Sequence, residues 1–112
     1  MRSIETLRAF GANTNEGLAR CFNDESFYLR LVDVGLADLN FDRLKDALAA
    51  GNAEAAFEAA HALKGSIGNL ALTPIYEPVC ELTERLRGKS GPVDTGDLLD
   101  RVLAQREKAR AL

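Results

Sequence analysis

Apolar residues recur three and four positions apart along most of this chain, the period of one face of an α-helix. Phe27, Leu31, Val34, Ala37, Phe41, Leu44 and Leu48 carry the pattern through one long stretch. Ala56, Ala60, Leu63, Ile67 and Leu70 carry it through a second, and Ile75, Val79, Leu82 and Leu86 through a third. Leu98, Leu99, Val102 and Leu103 complete a fourth. Composition agrees: 17 Ala and 17 Leu stand against eight Val plus Ile, so helix formers abound and strand formers are scarce. The expectation is an all-α protein, an antiparallel four-helix bundle with short N-terminal helical segments. A chain of 112 residues supports one domain, with residues 1–23 as a cover segment on a bundle over 24–110. So small a helical core leaves little room for a deep substrate pocket.

Boundaries come from local chemistry. A first helical segment spans about Ser3 to Phe10 and is broken by Gly11-Ala12-Asn13; Asn15 to Phe22 forms a second short one. Asn23-Asp24 offers an N-cap, and the spacing predicts one continuous helix from about Asp24 to Ala50 in preference to two helices broken near Asn40. A second apolar stripe, Leu29, Val32, Leu36 and Leu39, lies opposite the first half of that helix; either the N-terminal segment covers it or it is a partner-docking or self-association patch. Gly51 ends this helix and Asn52 caps the next, which runs to Leu70. Thr73-Pro74 starts the third helix, with Pro78 expected either to kink it or to delay its regular start to about Glu77. Asp94 or Thr95 caps the fourth, and the polar tail from Gln105 is expected to fray.

Net charge is −3 with a pI near 5.1, which argues against a general nucleic-acid or anionic-membrane surface. No apolar run reaches the length of a membrane span, and Glu5 and Glu16 interrupt any signal-like core. Cys21 and Cys80 lack metal-ligand spacing and read as free thiols in a reducing, cytoplasmic setting.

The chain has one histidine. At about 100° per residue, His61 points roughly 140° away from the core stripe of its helix, and so toward solvent. Glu54, Phe57 and Glu58 precede it on that face; Lys64, Gly65 and Gly68 follow. Glycine inside a helix costs roughly 1 kcal/mol relative to alanine. A chain so rich in alanine places two glycines here, which removes bulk and admits another molecule. Neutral imidazole is a competent nucleophile near pH 7. An ammonium one turn away, on Lys64, would screen a phosphoryl group carried on that ring. No second histidine, acidic triad partner, metal-ligand spacing or phosphate-binding loop accompanies it, so no metal, cofactor or nucleotide site is expected.

The run His61-Ala62-Leu63-Lys64-Gly65-Ser66-Ile67-Gly68-Asn69-Leu70 resembles the signature of histidine-containing phosphotransfer (HPt) domains, roughly H-x-L-K-G-S-x-x-N-L. Phe27-Tyr28-Leu29, the Ala49 to Asn52 turn and Cys80-Glu81-Leu82 resemble the family's context, over about residues 24–88. Members often carry glycine where this chain has Ala71; Gly68, Pro74 and Pro78 are also less typical. The resemblance implies a phosphorelay carrier in two-component signalling, and not an autonomous kinase. His61 would take a phosphoryl group from a receiver-domain aspartate and pass it to another receiver. Lys64 would supply electrostatic assistance and Gly65 steric access. Leu36, Leu39, Glu58 and Gly68 would meet the partner. Its partners would be response-regulator receivers and a hybrid histidine kinase, with Mg²⁺ held by the receiver and the chain a monomer. The competing reading is a non-catalytic helical adaptor that blocks a receiver or kinase, with His61 incidental.

Overall fold

The computed structural model describes residues 2–112. Among these residues every regular element is helical: α1 (Ile4–Phe10), α2 (Thr14–Arg20), α3 (Glu25–Leu36), α4 (Asn40–Ala49), α5 (Ala53–Asn69), α6 (Thr73–Leu86) and α7 (Leu98–Arg110). No helix among them is long and apolar enough to cross a membrane. Helix α5 is the centre of the packing, flanked by α4 and α6, and α6 in turn packs on α7. The expected stripe of α5 is buried in full, from Ala56 and Ala60 through Leu63, Ile67 and Leu70. Alanines at 53, 56, 59 and 60 bring the neighbouring helices close to its first half. The Asn52 side chain accepts from the Ala55 N–H at 3.1 Å, and the Asp24 carboxylate from the Phe27 N–H at 3.1 Å, so both expected caps form.

The long helix expected over Asp24–Ala50 is two helices. Helix α3 stops at Leu36, and α4 begins at Asn40 after a short turn. Asp38 organises that turn: its carboxylate accepts from the Asn40 N–H at 2.8 Å and from the Ser66 hydroxyl at 3.3 Å. The break resets the register. In α3 the buried residues are Tyr28, Val32, Gly35 and Leu36, whereas in α4 they are Phe41, Leu44 and Ala47. The heptad spacing from Val34 to Phe41 is therefore coincidental across the turn, and Val34 is 68% exposed. The stripe read as secondary supplies the α3 core through Val32 and Leu36, while Leu39 stays uncovered at 64% exposure. Arg106 donates to the Leu36 carbonyl at 2.8 Å, closing the end of α3.

Two other boundaries differ. Helix α7 starts after Asp97, while the Asp94 carboxylate accepts from the Gly96 N–H in the preceding turn. Its last turns are held: Ala109 is fully buried, and Arg2 donates to the Ala109 carbonyl at 3.1 Å. Helix α6 runs through Pro78, which is buried near its start. The missing N–H there costs one intrahelical bond and does not delay the helix.

The end of α5 is secured by the N-terminal part of the chain. Arg20 donates to the Gly68 and Asn69 carbonyls, the buried Tyr28 hydroxyl to the Leu70 carbonyl at 2.7 Å, and the Asn13 N–H to the Ala71 carbonyl at 2.9 Å. Gly17 lets Tyr28 lie against α2, since a Cβ there would stand 2.6 Å from the ring. Ala71 closes α5 with a left-handed φ of 57°. Its N–H bonds to the Gly68 carbonyl and the Leu72 N–H to the Ile67 carbonyl, the double pattern of a Schellman cap. Glycine is favoured at such a position, so the departure at Ala71 leaves the turn intact and strains it. Ala71→Gly should raise stability by roughly 0.5–1 kcal/mol, seen as a melting temperature several degrees higher. A lower melting temperature would show that the packing of the Ala71 methyl outweighs the strain.

Candidate functional site

His61 projects from the outer face of α5 and is exposed. Its ring lies nearly parallel to that of Phe57, one turn earlier, with centroids 5.7 Å apart and planes 14° from parallel. The Arg87 guanidinium, just past the end of α6, covers Phe57, 5.1 Å from the ring centroid, and pairs with Glu84 of α6 through two hydrogen bonds of 3.1 and 2.8 Å. These bonds hold the Glu84 carboxyl below its ordinary range, and the charges of Arg87 and Lys64 act in the same direction. The imidazole thus rests on an aromatic shelf braced from α6. Among the described residues, none donates a hydrogen bond to the imidazole, accepts one from it, or forms an ion pair with Lys64.

Beside His61 lies an open depression lined by Lys64, Gly65, Gly68 and Asn69 of α5, Tyr76 of α6 and Arg20 of α2. The two glycines differ in kind. A Cβ on Gly65 would meet nothing within 4 Å, so packing does not explain its lack of a side chain. A Cβ on Gly68 would stand 2.8 Å from the Tyr76 ring, so Gly68 makes room for Tyr76. The sequence pattern alone reads both as clearance for an approaching molecule.

The expected partner-contact residues separate. Leu36 is only 2% exposed and belongs to the core, because the break in α3–α4 turns its face inward; it is not available to a partner. Leu39 stands in an apolar surface patch with Leu31, Val34 and Ala37, bordered by Ser66 and Asn69 of α5. Glu58 is exposed on the other flank, facing Arg43 and Asn40 of α4 across a shallow groove. Arg20, Tyr76 and Val34 are additions that only the fold reveals, since their neighbours around the site lie far away in the sequence.

Chemically, the site is an exposed nucleophile with one ammonium a turn away and open space beside it. Attack through the unprotonated ring nitrogen of a neutral imidazole requires no proton removal, so no neighbouring base is needed for that step. No group of three or more His, Cys, Asp or Glu side chains among the described residues could hold a metal ion. Cys21 is buried and Cys80 half-buried, both as free thiols.

A family model described as the Hpt domain matches residues 36–111. Neither a curated protein nor a solved structure matches the chain.

Proposed function

Because the chain belongs to the Hpt domain family, whose role is histidine phosphotransfer in two-component signalling with receiver domains and histidine kinases, we propose that His61 is its phosphoacceptor. In this reading the protein is a relay carrier. The unprotonated imidazole nitrogen attacks the phosphorus of a receiver's aspartyl phosphate. The P–N bond forms as the P–O bond to the aspartyl carboxylate breaks, and that carboxylate leaves with the electron pair. A second receiver's aspartate reverses the step and regenerates the imidazole.

The observation that carries the reading is the combination at one face: an exposed His61, Lys64 a turn away, and a Gly65 whose missing side chain serves no internal contact. Lys64 screens the charge of the phosphoryl group on the ring. Gly65 admits the partner to in-line distance. Leu39, Glu58 and Gly68 border the docking surface, with the Leu39 patch as its apolar part. An antiparallel four-helix arrangement, with the broken α3–α4 arm, α5, α6 and α7 as its arms and residues 2–23 as its cover, holds that face rigid. Mg²⁺ belongs to the receiver, and the setting is cytoplasmic.

The test is transfer itself. Incubation with receiver domains charged by acetyl phosphate should place base-stable, acid-labile phosphate on the wild-type chain and none on His61→Gln. Binding without label on the wild type would instead support an adaptor that blocks receivers, and equal labelling of His61→Gln would move the site elsewhere.

A further inference from the structure

Arg20 reaches the His61 face from α2, a helix outside the matched segment of residues 36–111. One of its terminal nitrogens, Nη1, donates to the Gly68 carbonyl at 2.7 Å and the Asn69 carbonyl at 3.3 Å. The other, Nη2, pairs with Glu16, one turn earlier on α2. A cation at the carbonyl end of a helix is favourable, which accounts for why Arg20 sits there. It does not account for all of the side chain. Three of the five N–H groups are engaged; Nε–H and one Nη2–H remain, and the side chain is 43% exposed. The side chain also lines the same depression as His61, Lys64 and Gly65.

Distance decides what Arg20 can do there. Gly68 lies about 10 Å of helix beyond His61, too far for Arg20 to hold a phosphoryl group on the ring. A partner seated over His61 covers more than that: about 800 Å² per side is a patch reaching about 16 Å from its centre. The partner's surface is anionic at its middle, because it brings an aspartate and the phosphoryl group. Lys64 and Arg20 both line the depression beside His61 and so lie within that footprint. Glu16 and Glu77 lie nearby, and Glu16 orients the guanidinium while leaving two donors free.

We propose that Arg20 is a partner-contacting, specificity-determining residue: it binds anionic groups on the receiver around the phosphoaspartate and so selects which receivers dock at His61. The inference rests on the phosphotransfer reading of that site. It also gives the N-terminal helices a part in recognition, because α2 delivers to the transfer face a cation from outside the matched segment.

The test compares the full chain with Arg20→Gln and Arg20→Lys, using receiver domains charged by acetyl phosphate. Arg20→Gln should raise the KM for the charged receiver about tenfold at low salt, keep kcat within about twofold, and flatten the salt dependence. Arg20→Lys should restore most of the KM. Melting temperatures of the variants report the capping role separately. A KM within about twofold of wild type overturns the proposal. So does a fall in kcat that follows a fall in melting temperature and is not rescued by lysine, which would leave Arg20 a helix cap alone. Failure of the wild type to accept label from any receiver would instead remove the phosphotransfer reading, and this inference with it.

Discussion

Gly65→Arg should abolish phosphoryl transfer to His61 while leaving the fold at least as stable as the parent. Gly65 lies on the exposed face one turn beyond His61, and a Cβ there would meet nothing within 4 Å. The arginine therefore fits the isolated protein without strain. Replacing a mid-helix glycine also gains roughly 0.8 kcal/mol of helix propensity, so the melting temperature should rise by a few degrees. Transfer behaves oppositely. In-line displacement needs the reacting atoms about 3–3.5 Å apart, and misplacement by about 1 Å costs on the order of 100-fold. A long side chain at the rim holds the partner back by more than that, so transfer should fall at least 1,000-fold in a label-transfer time course. Opposite movement of stability and activity is the diagnostic result. A falling melting temperature would assign Gly65 a packing role instead. Gly68→Ala is the contrasting variant: its methyl would press on the Tyr76 ring, so the same gain in stability is not expected.

Between about pH 10 and pH 12 the fold should lose roughly 2 kcal/mol that a Tyr28→Phe chain does not lose. Tyr28 is fully buried and donates its hydroxyl proton to the Leu70 carbonyl. Burial, with a smaller contribution from Cys21, pushes the phenol up to about 12 from an ordinary value of 10.0. The folded state thus keeps a proton that the unfolded chain releases. The associated stability is fully present below pH 10 and disappears as pH rises through the folded value of about 12. Denaturant titrations of both chains at pH 8, 10, 11 and 12 isolate the effect, since other alkaline titrations are common to the two. Parallel pH profiles would show that Tyr28 ionises in the folded protein as it does in the unfolded one. Tyr28→Phe should itself cost about 1 kcal/mol at neutral pH, because the Leu70 carbonyl loses its buried donor.

Both variants act on α5, and how readable that helix was in the sequence follows from the range of the interactions involved. Its limits, its cap at Asn52, its buried stripe and the outward direction of His61 all rest on residues one to four positions apart. Helical geometry relates such neighbours directly, so periodicity and cap chemistry suffice. The same reasoning misled at α3–α4. Seven-residue spacing continues across Ala37–Leu39, but an Asp38 side chain bonded to Asn40 and Ser66 lets the chain turn, and each half then takes its own register. Leu36 went into the core for that reason, and Val34 went to the surface.

The sequence by itself thus determined a helical protein with one outward-facing histidine, an ammonium one turn away and a glycine beside it. Tertiary structure decided what surrounds that unit. It covered Gly68 with Tyr76, left Gly65 open, exposed the Leu39 patch and brought Arg20 to the end of the histidine helix. Each of these depends on contact between segments tens of residues apart, set by how whole helices pack, and local period and propensity carry no information about such pairs.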